Sequence, residues 1–281
     1  MNPNRNRFFV VDTERAPLID VGRFDRVDGA RSPGAYAEWM AHQRRHGPDG
    51  AIELLGLTNT SRVLDLGCGT GTDLARLVEI SGQAVGVDLS FTMVDSIRQG
   101  PRGGEAGVVN ADGVGLPFRD DSFDACWARA VLVHTTDPGQ ALHEIARVTR
   151  PGGRVVFSEP DHGSHVVACS CPDVFERIKA HRQQRFRHPF VGRALASLAS
   201  SAGLEIVDTW LTPILYRSST KAMSAGGPFG VAVEAAVAER AISADEAGRY
   251  ESSLAEHDAA GAFFFAGLAV SLSAVVPSAS D

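Results

Sequence analysis

Residues 63–73 read VLDLGCGTGTD and combine a short apolar run that contains one acidic residue with closely spaced glycines. Asp65 lies in a short apolar run, and Gly67, Gly69 and Gly71 follow it at every second position. Glycine permits a sharp turn and lets a ligand approach the backbone where a side chain would be in the way. Only one residue separates Gly69 from Gly71, whereas the dinucleotide fingerprint G-x-G-x-x-G has two. The run therefore predicts a ligand-binding loop of another kind.

Two further acidic residues follow the next two predicted strands. Asp88 ends the run VGVD, and Asp112 comes after Asn110 in the run NADG. A carboxylate at the tip of a strand can accept two hydrogen bonds from a ribose diol. The three loops should converge on a nucleoside-shaped space at one edge of the sheet. Asp112, which precedes Gly113, could also belong to an ordinary Asp-Gly turn.

The elements that must position these residues alternate regularly from about residue 52 to residue 158. This alternation of strand and helix signals predicts a doubly wound α/β fold with a mostly parallel sheet. The expected strands are 62–66, 84–88, 108–110, 123–129 and 154–158, the last following a turn at 150–153. The expected helices are 73–80, a second helix ending near residue 98, and 138–148.

Two regions lie outside this rhythm. Residues 1–51 contain a helical candidate, Pro33–Arg45, with Tyr36, Trp39 and Met40 on neighbouring turns. Residues 161–281 contain helical signals at 173–184, 191–202 and 244–257, one strand signal at 204–211, and a glycine-rich break at 225–230. We expect an N-terminal helical lid over 1–51, a binding core over 52–160, and over 161–281 the rest of the sheet with helical insertions covering the acceptor site.

Composition limits the possible partners. The 281 residues carry a net charge of −7, which argues against nucleic acid as a partner. The apolar runs are too short for a signal peptide core or a membrane span, so we expect a soluble, cytoplasmic protein without membrane contact. The sequence does not choose between a monomer and a homodimer.

Four cysteines do not make a disulfide framework at this length. His162, His165, Cys169 and Cys171 lie close together in the sequence, but their spacings do not suit zinc, so we expect no metal.

The motifs VLDLGCGTGTD, VGVDLSFTMVD, ADGVGLPFRDDSFD and RPGGRVVFSEP cover about residues 60–160. In this order the chain resembles the class I S-adenosylmethionine-dependent methyltransferases. It is most similar to the branch of ubiquinone and menaquinone biosynthesis enzymes, which includes small-molecule methyltransferases of bacterial secondary metabolism. The resemblance implies a seven-stranded sheet, with appended helices forming an acceptor lid, and S-adenosylmethionine as the cofactor. The closing run AFFFAGLAVSLSAVVP is similar to the last strand of such enzymes.

The resemblance also implies a role for each motif residue. The methionine portion of the cofactor would lie against Gly67, Cys68 and Gly69, with Asp65 holding the loop and the amino group. Asp88 would bind the ribose hydroxyls, and Leu89 and Met93 would pack on the adenine faces. Asp112 would accept from the adenine amino group while the backbone of Gly113 pairs with the ring edge. Arg129 would line the cofactor carboxylate or the acceptor mouth.

Some of these residues have a simpler interpretation. Asp65 could cap the following helix, and the helical spacing of Met93 fits a core residue equally well.

Methyl transfer mainly requires alignment of the acceptor, the methyl group and sulfur. His134, after the fourth strand, is the candidate base, and Glu159, at the end of the fifth, could orient it or polarise the acceptor. These two side chains could also simply satisfy one another.

The predicted function is methylation of an oxygen or carbon atom of a small, partly apolar metabolite. Two alternatives stay open. The fold could bind S-adenosylmethionine while catalysing another reaction, such as a cyclisation, or it could be a non-catalytic partner of another enzyme.

Overall fold

Short apolar runs alternate with amphipathic segments along the chain and fold into one sheet covered by helices. The computed structural model describes residues 51–100, 104–224 and 229–278. The N-terminal lid expected over residues 1–51 lies, apart from its last residue, outside the described residues, as does most of the glycine-rich break.

The sheet has seven strands. They are β1 (Arg62–Leu66), β2 (Gln83–Asp88), β3 (Gly107–Asn110), β4 (Phe123–Arg129), β5 (Thr149–Val167), β6 (Glu205–Tyr216) and β7 (Phe265–Val275). Their order is β3-β2-β1-β4-β5-β7-β6. Strands β1 to β5 pair in parallel, and β7 runs antiparallel to both β5 and β6. The doubly wound α/β prediction with a mostly parallel, seven-stranded sheet is confirmed.

Helices follow the strands in chain order. They are α1 (Thr72–Ser81), α2 (Phe91–Gln99), α3 (Pro138–Val148), α4 (Pro172–Gln183), α5 (Leu195–Ser201), α6 (Ser219–Ser224), α7 (Val231–Ala238) and α8 (Ala244–Ala259). Short 3₁₀ turns cover Glu53–Leu55 and Val191–Ala194. Local caps explain several starts: Ser90 caps α2, and Asp137 caps α3 ahead of Pro138.

Each face of the parallel half buries an apolar layer. Leu142 and Ile145 of α3 lie in one core with Phe157 of β5. Leu77 and Trp127 belong to a second core on the side of α1. All five side chains are at most 2% exposed, and burying each large apolar side chain stabilises the fold by about 1.5–3 kcal/mol. These layers hold the carboxyl ends of the strands, and therefore the loops, in a fixed arrangement.

The topology marks where a ligand should bind. The chain enters the sheet at β1, winds outward through β2 and β3, and returns to the other side of β1 at β4. In open α/β sheets, ligands bind outside the carboxyl ends of the strands at such a reversal. The loops after β1 and β4 should therefore border the site.

The second half differs most from the sequence expectations. β5 was expected to end at Ser158 but continues to Val167, because residues 159–161 and 166–167 pair with β7 on either side of an irregularity. β6 extends past Pro213, which an edge strand tolerates because no second neighbour needs its missing N–H group. The helix expected at 191–202 divides into a 3₁₀ turn and α5. Helices α6 and α7 were not expected.

The added helices form a core of their own. Val174 and Ile178 of α4 pack with Tyr250 of α8, and Tyr216 and Phe265 close this core from the ends of β6 and β7. β5 reaches into the same region, so the boundary expected at residue 160 falls inside a strand.

Candidate functional site

A cleft opens at the carboxyl ends of β1, β2 and β4, where the topology predicts it. Its empty space, which includes the part open to solvent, is about 500 Å³. The residues that line it are Leu66, Gly67, Val87, Asp88, Leu89, Ala111, Asp112, Gly113, Ala130, Val131, His134 and Thr135. Six of the sequence-predicted site residues thus share one cleft: Gly67, Asp88, Leu89, Asp112, Gly113 and His134.

The glycine loop is anchored to β2 by backbone hydrogen bonds. The N–H groups of Gly67 and Cys68 donate to the carbonyl of Val87 at 2.7 and 3.0 Å. Gly67 has φ +71°, and a Cβ there would lie 2.5 Å from the Cβ of Val131. Glycine is therefore required twice over at this position, by backbone conformation and by the close approach of the β4 loop.

Asp88 connects the glycine loop to the loop after β2. Its Oδ2 accepts from the N–H of Gly69 at 2.8 Å, and its Oδ1 accepts from the N–H of Ser90 at 2.9 Å. Asn110 fixes the same loop, because its side-chain amide donates to the carbonyls of Asp88 and Leu89 at 2.9 and 2.8 Å. The carboxylate is thus held rigidly at the cleft.

Asp112 forms a local turn and also lines the cleft. Its Oδ1 accepts from the N–H of Val114 at 3.2 Å. Gly113 lies against Leu66, whose Cδ1 would be 3.2 Å from an added Cβ. The simpler interpretation of Asp112 as a turn residue therefore holds, and its position on the cleft remains compatible with binding.

Behind the glycine loop lies a buried charged cluster. Arg129 donates from Nε to Oδ2 of Asp73 at 2.7 Å, and Trp127 donates from its ring N–H to the same oxygen at 3.1 Å. Asp65 accepts from the backbone N–H of Leu74 in the first turn of α1, so it does help to cap that helix. Burial, chiefly, and then the neighbouring Asp73 raise the pKa of Asp65 well above its usual value, while Arg129 opposes this.

Two atoms of this cluster have no hydrogen-bond partner among the described residues. They are Oδ2 of Asp65 and Nη2 of Arg129, and both are buried. Buried polar atoms are normally paired, so an unpaired carboxylate oxygen and an unpaired guanidinium nitrogen indicate a place for complementary groups.

Two predicted cofactor contacts lie inside the protein instead. Met93 is 1% exposed and does not line the cleft, which favours its interpretation as a core residue. Cys68 packs its sulfur against Gly86, where a Cβ would be only 2.7 Å away. Burial raises the pKa of this thiol, so it stays protonated and acts as a small packing group.

Glu159 is buried and does not line the cleft, so of its two predicted roles only the orientation of His134 stays open. Its buried carboxylate accepts from the backbone N–H groups of Val131, Leu132 and Val133 at 3.0, 2.9 and 3.3 Å. With three backbone donors on it and no exposure, this group cannot reach an acceptor molecule. It holds the loop that carries His134. Burial raises its pKa to about 7, against the lowering effect of these hydrogen bonds.

His134 lines the cleft as predicted. Burial, and secondarily the positive charge of Arg182, lower its pKa to about 4. The imidazole is therefore neutral near pH 7 and can accept a hydrogen bond or a proton.

The sequence did not single out the residues between Arg129 and His134. Ala130 has φ +54°, a conformation that is uncommon for residues other than glycine, and it lines the cleft with Val131. No sequence signal marks this strained position, because alanine has no preference for it.

Comparison with known proteins agrees with this geometry. Residues 64–157 match the family described as a methyltransferase domain. These residues form a methyltransferase domain. The matched span includes the glycine loop, Asp88, Asp112 and His134.

Two similar proteins are longer than the part of them that this chain matches. An uncharacterized 37.1 kDa protein in transposon TN4556 of Streptomyces fradiae is 37% identical over 227 residues, which is 77% of this chain and 62% of that protein. The O-methyltransferase cnsE of Penicillium expansum is 36% identical over 181 residues, 60% of this chain and 62% of the relative. The chain thus covers 62% of the length of both relatives.

Among solved structures, the [4+2]-cyclase SpnF is 25% identical, with a TM-score of 0.51. The match covers 82% of this chain and 79% of the cyclase.

Two further findings concern metal ions and membranes. Within residues 51–100, 104–224 and 229–278, no group of three or more His, Cys, Asp or Glu side chains is arranged to hold a metal ion. None of the helices described above combines the length and apolar character needed to cross a membrane.

Proposed function

We propose that this protein transfers the methyl group of S-adenosylmethionine to an oxygen or carbon atom of a small, partly apolar metabolite. One observation carries the proposal: the buried, unpartnered atoms of Asp65 and Arg129 stand behind the glycine loop. The amino acid end of the cofactor has one ammonium and one carboxylate group. A carboxylate oxygen and a guanidinium nitrogen complement these two charges.

Other residues of the cleft would contact the ribose, the adenine ring and the methionine portion of the cofactor. Asp88 would accept hydrogen bonds from the ribose hydroxyls. The positions of Leu89, Asp112 and Gly113 in the cleft suit the adenine ring. Gly67 and Gly69 would let the backbone approach the methionine portion closely. Arg129 belongs on the cofactor carboxylate in this arrangement, and Asp73 holds it there.

When bound, S-adenosylmethionine supplies an electrophilic methyl group on a positively charged sulfur. The residues of this chain would bind and align the acceptor against it and exclude water. Such alignment can contribute about 7–11 kcal/mol to lowering the barrier. His134 would receive the proton of an acceptor hydroxyl, and Glu159 would position His134 through the backbone of the 131–133 loop.

The acceptor would bind between the core and the appended elements. Helix α4 and the segment that follows it place aromatic and basic side chains next to His134. We propose residues 52–160 as the cofactor-binding part, and residues 161–281 as the part that completes the sheet and covers the acceptor. The residues before 52 would add a lid.

The test measures S-adenosylhomocysteine released from S-adenosylmethionine in the presence of a panel of phenols, quinols and enols. We expect one S-adenosylhomocysteine for each methylated product. Product mass increased by one methyl group identifies the acceptor. A protein that does not bind S-adenosylhomocysteine in calorimetry would refute the proposal.

A cyclisation is the second candidate, because the structural neighbour SpnF is a [4+2]-cyclase. In that case a product of unchanged mass would form and no S-adenosylhomocysteine would be released. The O-methyltransferase cnsE, the more similar of the two proteins, favours methylation.

A further inference from the structure

A stack of aromatic and basic side chains lies beside the cleft and has no assigned task. The rings of His162 and Phe186 are stacked, with centroids 3.8 Å apart and an interplanar angle of 14°. Arg182 places Nη1 3.0 Å from Nδ1 of His162, and its guanidinium carbon lies 4.9 Å from the centroid of Phe186. His162 comes from the extended end of β5, and Arg182 from α4.

This stack adjoins the acceptor side of the cleft. The ring centroid of Phe186 lies 5.5 Å from that of His134, which lines the cleft. The backbone ties the same regions together, because the N–H of His188 donates to the carbonyl of Val133 at 3.1 Å. The N–H of His162 donates to the carbonyl of Pro189 at 3.1 Å, so the segment after α4 bridges the cleft loop and β5.

The contact with Arg182 fixes the tautomer of His162. A guanidinium group can only donate, so Nδ1 of His162 must be the acceptor and carries no proton. Burial, and then the charge of Arg182, lower the pKa of His162 well below its usual value, which keeps the ring neutral. The proton of the neutral ring therefore sits on Nε2.

That N–H group is a donor in need of an acceptor. Nε2 of His162 is buried and has no partner among the described residues, and the whole residue is 6% exposed. Leaving such a donor unpaired is unfavourable, whereas a donor paired with a charged oxygen forms one of the stronger hydrogen bonds.

We propose that Nε2–H of His162, supported by Arg182, forms a subsite for the oxygen of the methyl acceptor and binds a phenol or enol as its anion. This inference rests on the proposed methyltransferase function and names its substrate class. The hydroxyl proton passes to His134 and then to solvent, leaving the electron pair on oxygen.

Three features select this class of acceptor. A neutral amine could accept from this N–H only with the single lone pair that must attack the methyl group, and an ammonium group is repelled by Arg182. The aromatic wall formed by Phe186 suits a flat, conjugated molecule. His134, with a pKa of about 4, can take a proton only from an acidified hydroxyl, and an anion-stabilising subsite acidifies it.

The test compares two probes of similar shape on protein saturated with S-adenosylhomocysteine. The phenolate of 4-nitrophenol absorbs visible light, so its binding and ionisation are read directly, and 4-nitroanisole lacks the hydroxyl. His162→Phe keeps an aromatic ring against Phe186 but removes the N–H. His143→Phe, on the exposed side of α3, is the matched control.

We expect the wild type and His143→Phe to bind 4-nitrophenol as the phenolate, with its apparent pKa lowered. His162→Phe should weaken phenolate binding about 10- to 100-fold and leave 4-nitroanisole binding unchanged. Equal effects on both probes, or no effect on either, overturn the subsite, as does a wild type that does not bind 4-nitrophenol. In each of these cases S-adenosylhomocysteine binding persists, so the failure is distinct from a failure of the proposed function.

Discussion

The carboxylate of Asp88 accepts a hydrogen bond of 2.8 Å from the backbone N–H of Gly69. This bond joins the ends of two neighbouring strands, β1 and β2, at the rim of the cleft. The residue proposed to bind the ribose is thus also the residue that fixes the glycine loop. Loss of its charge should affect both parts of the cofactor site at once.

Asp88→Asn should weaken S-adenosylhomocysteine binding about 10- to 100-fold, because a charged acceptor is replaced by an amide with only one acceptor oxygen. Isothermal titration calorimetry measures the change. Asp208→Asn, on the exposed edge strand, is the control and should bind as the wild type does. Unchanged affinity in Asp88→Asn would remove the residue from the site.

Gly67→Ala should reduce both stability and cofactor binding, since the added Cβ meets Val131 in a left-handed backbone conformation. Gly203→Ala separates the two causes. Gly203 has φ +77°, but nothing lies within 4 Å of an added Cβ. We expect roughly 1 kcal/mol of destabilisation from conformation alone in Gly203→Ala and more in Gly67→Ala, measured by urea unfolding. Equal losses would show that the contact with Val131 costs nothing.

Arg129→Lys should discriminate between two ligands. A lysine retains the charge beside Asp73 but has one nitrogen in place of the guanidinium fork. We expect about tenfold weaker binding of S-adenosylhomocysteine, and unchanged binding of 5′-methylthioadenosine, which lacks the amino acid portion. Parallel weakening of both ligands would indicate that Arg129 acts only on the fold.

Glu159 should make the stability of the protein depend on pH. Its pKa in the folded state is about 7, above the usual value of 4.5. The folded state therefore binds more protons than the unfolded state between these pH values, and stability from this group falls as pH rises from about 4.5 to 7. The full effect is roughly 3 kcal/mol.

Urea unfolding at several pH values checks this sign. The difference in free energy of unfolding between the wild type and Glu159→Gln should shift against the wild type as pH rises. Glu256→Gln, on an exposed residue of α8, should show no such shift. A difference that stays constant with pH would contradict the raised pKa.

His134→Ala should lower kcat about 100-fold or more if the imidazole receives the acceptor proton. Because the pKa of His134 is about 4, its protonation should not reduce kcat/KM of the wild type until the pH falls to about 5. The pH profile with the identified acceptor tests both points. Full turnover in His134→Ala would exclude the role.

Local signals account for the parts of the fold that the sequence predicted well. β1, β4 and α3 have the expected bounds, because apolar runs and the Asp137-Pro138 cap define them without help from distant residues. The end of β5 was missed because residues 160–163 read Pro-Asp-His-Gly, a typical loop composition. The strand continues through them because the residues on both sides of His162 and Gly163 pair with β7.

The site likewise has a part that local sequence predicts and a part that depends on contacts between distant residues. Asp88 and Asp112 were placed at the cleft because Asp88 ends one strand and Asp112 follows the next, and topology fixes the carboxyl ends of both. The bond between Asp73 and Arg129 joins residues 56 positions apart and depends on β1 and β4 becoming neighbours. Glu159 ended the predicted strand, but its three backbone partners could not be predicted from residue types.

The long strand β5 has a consequence for how such a protein can diversify. Its first half packs in the core beneath α3, and its second half places His162 against Phe186, which follows α4. Helices α4, α7 and α8 have a separate core, so substitutions there can reshape the acceptor pocket without disturbing the layers beneath the glycine loop. Related proteins could therefore evolve to bind different acceptors through changes in this half, while the cofactor-binding half stays the same.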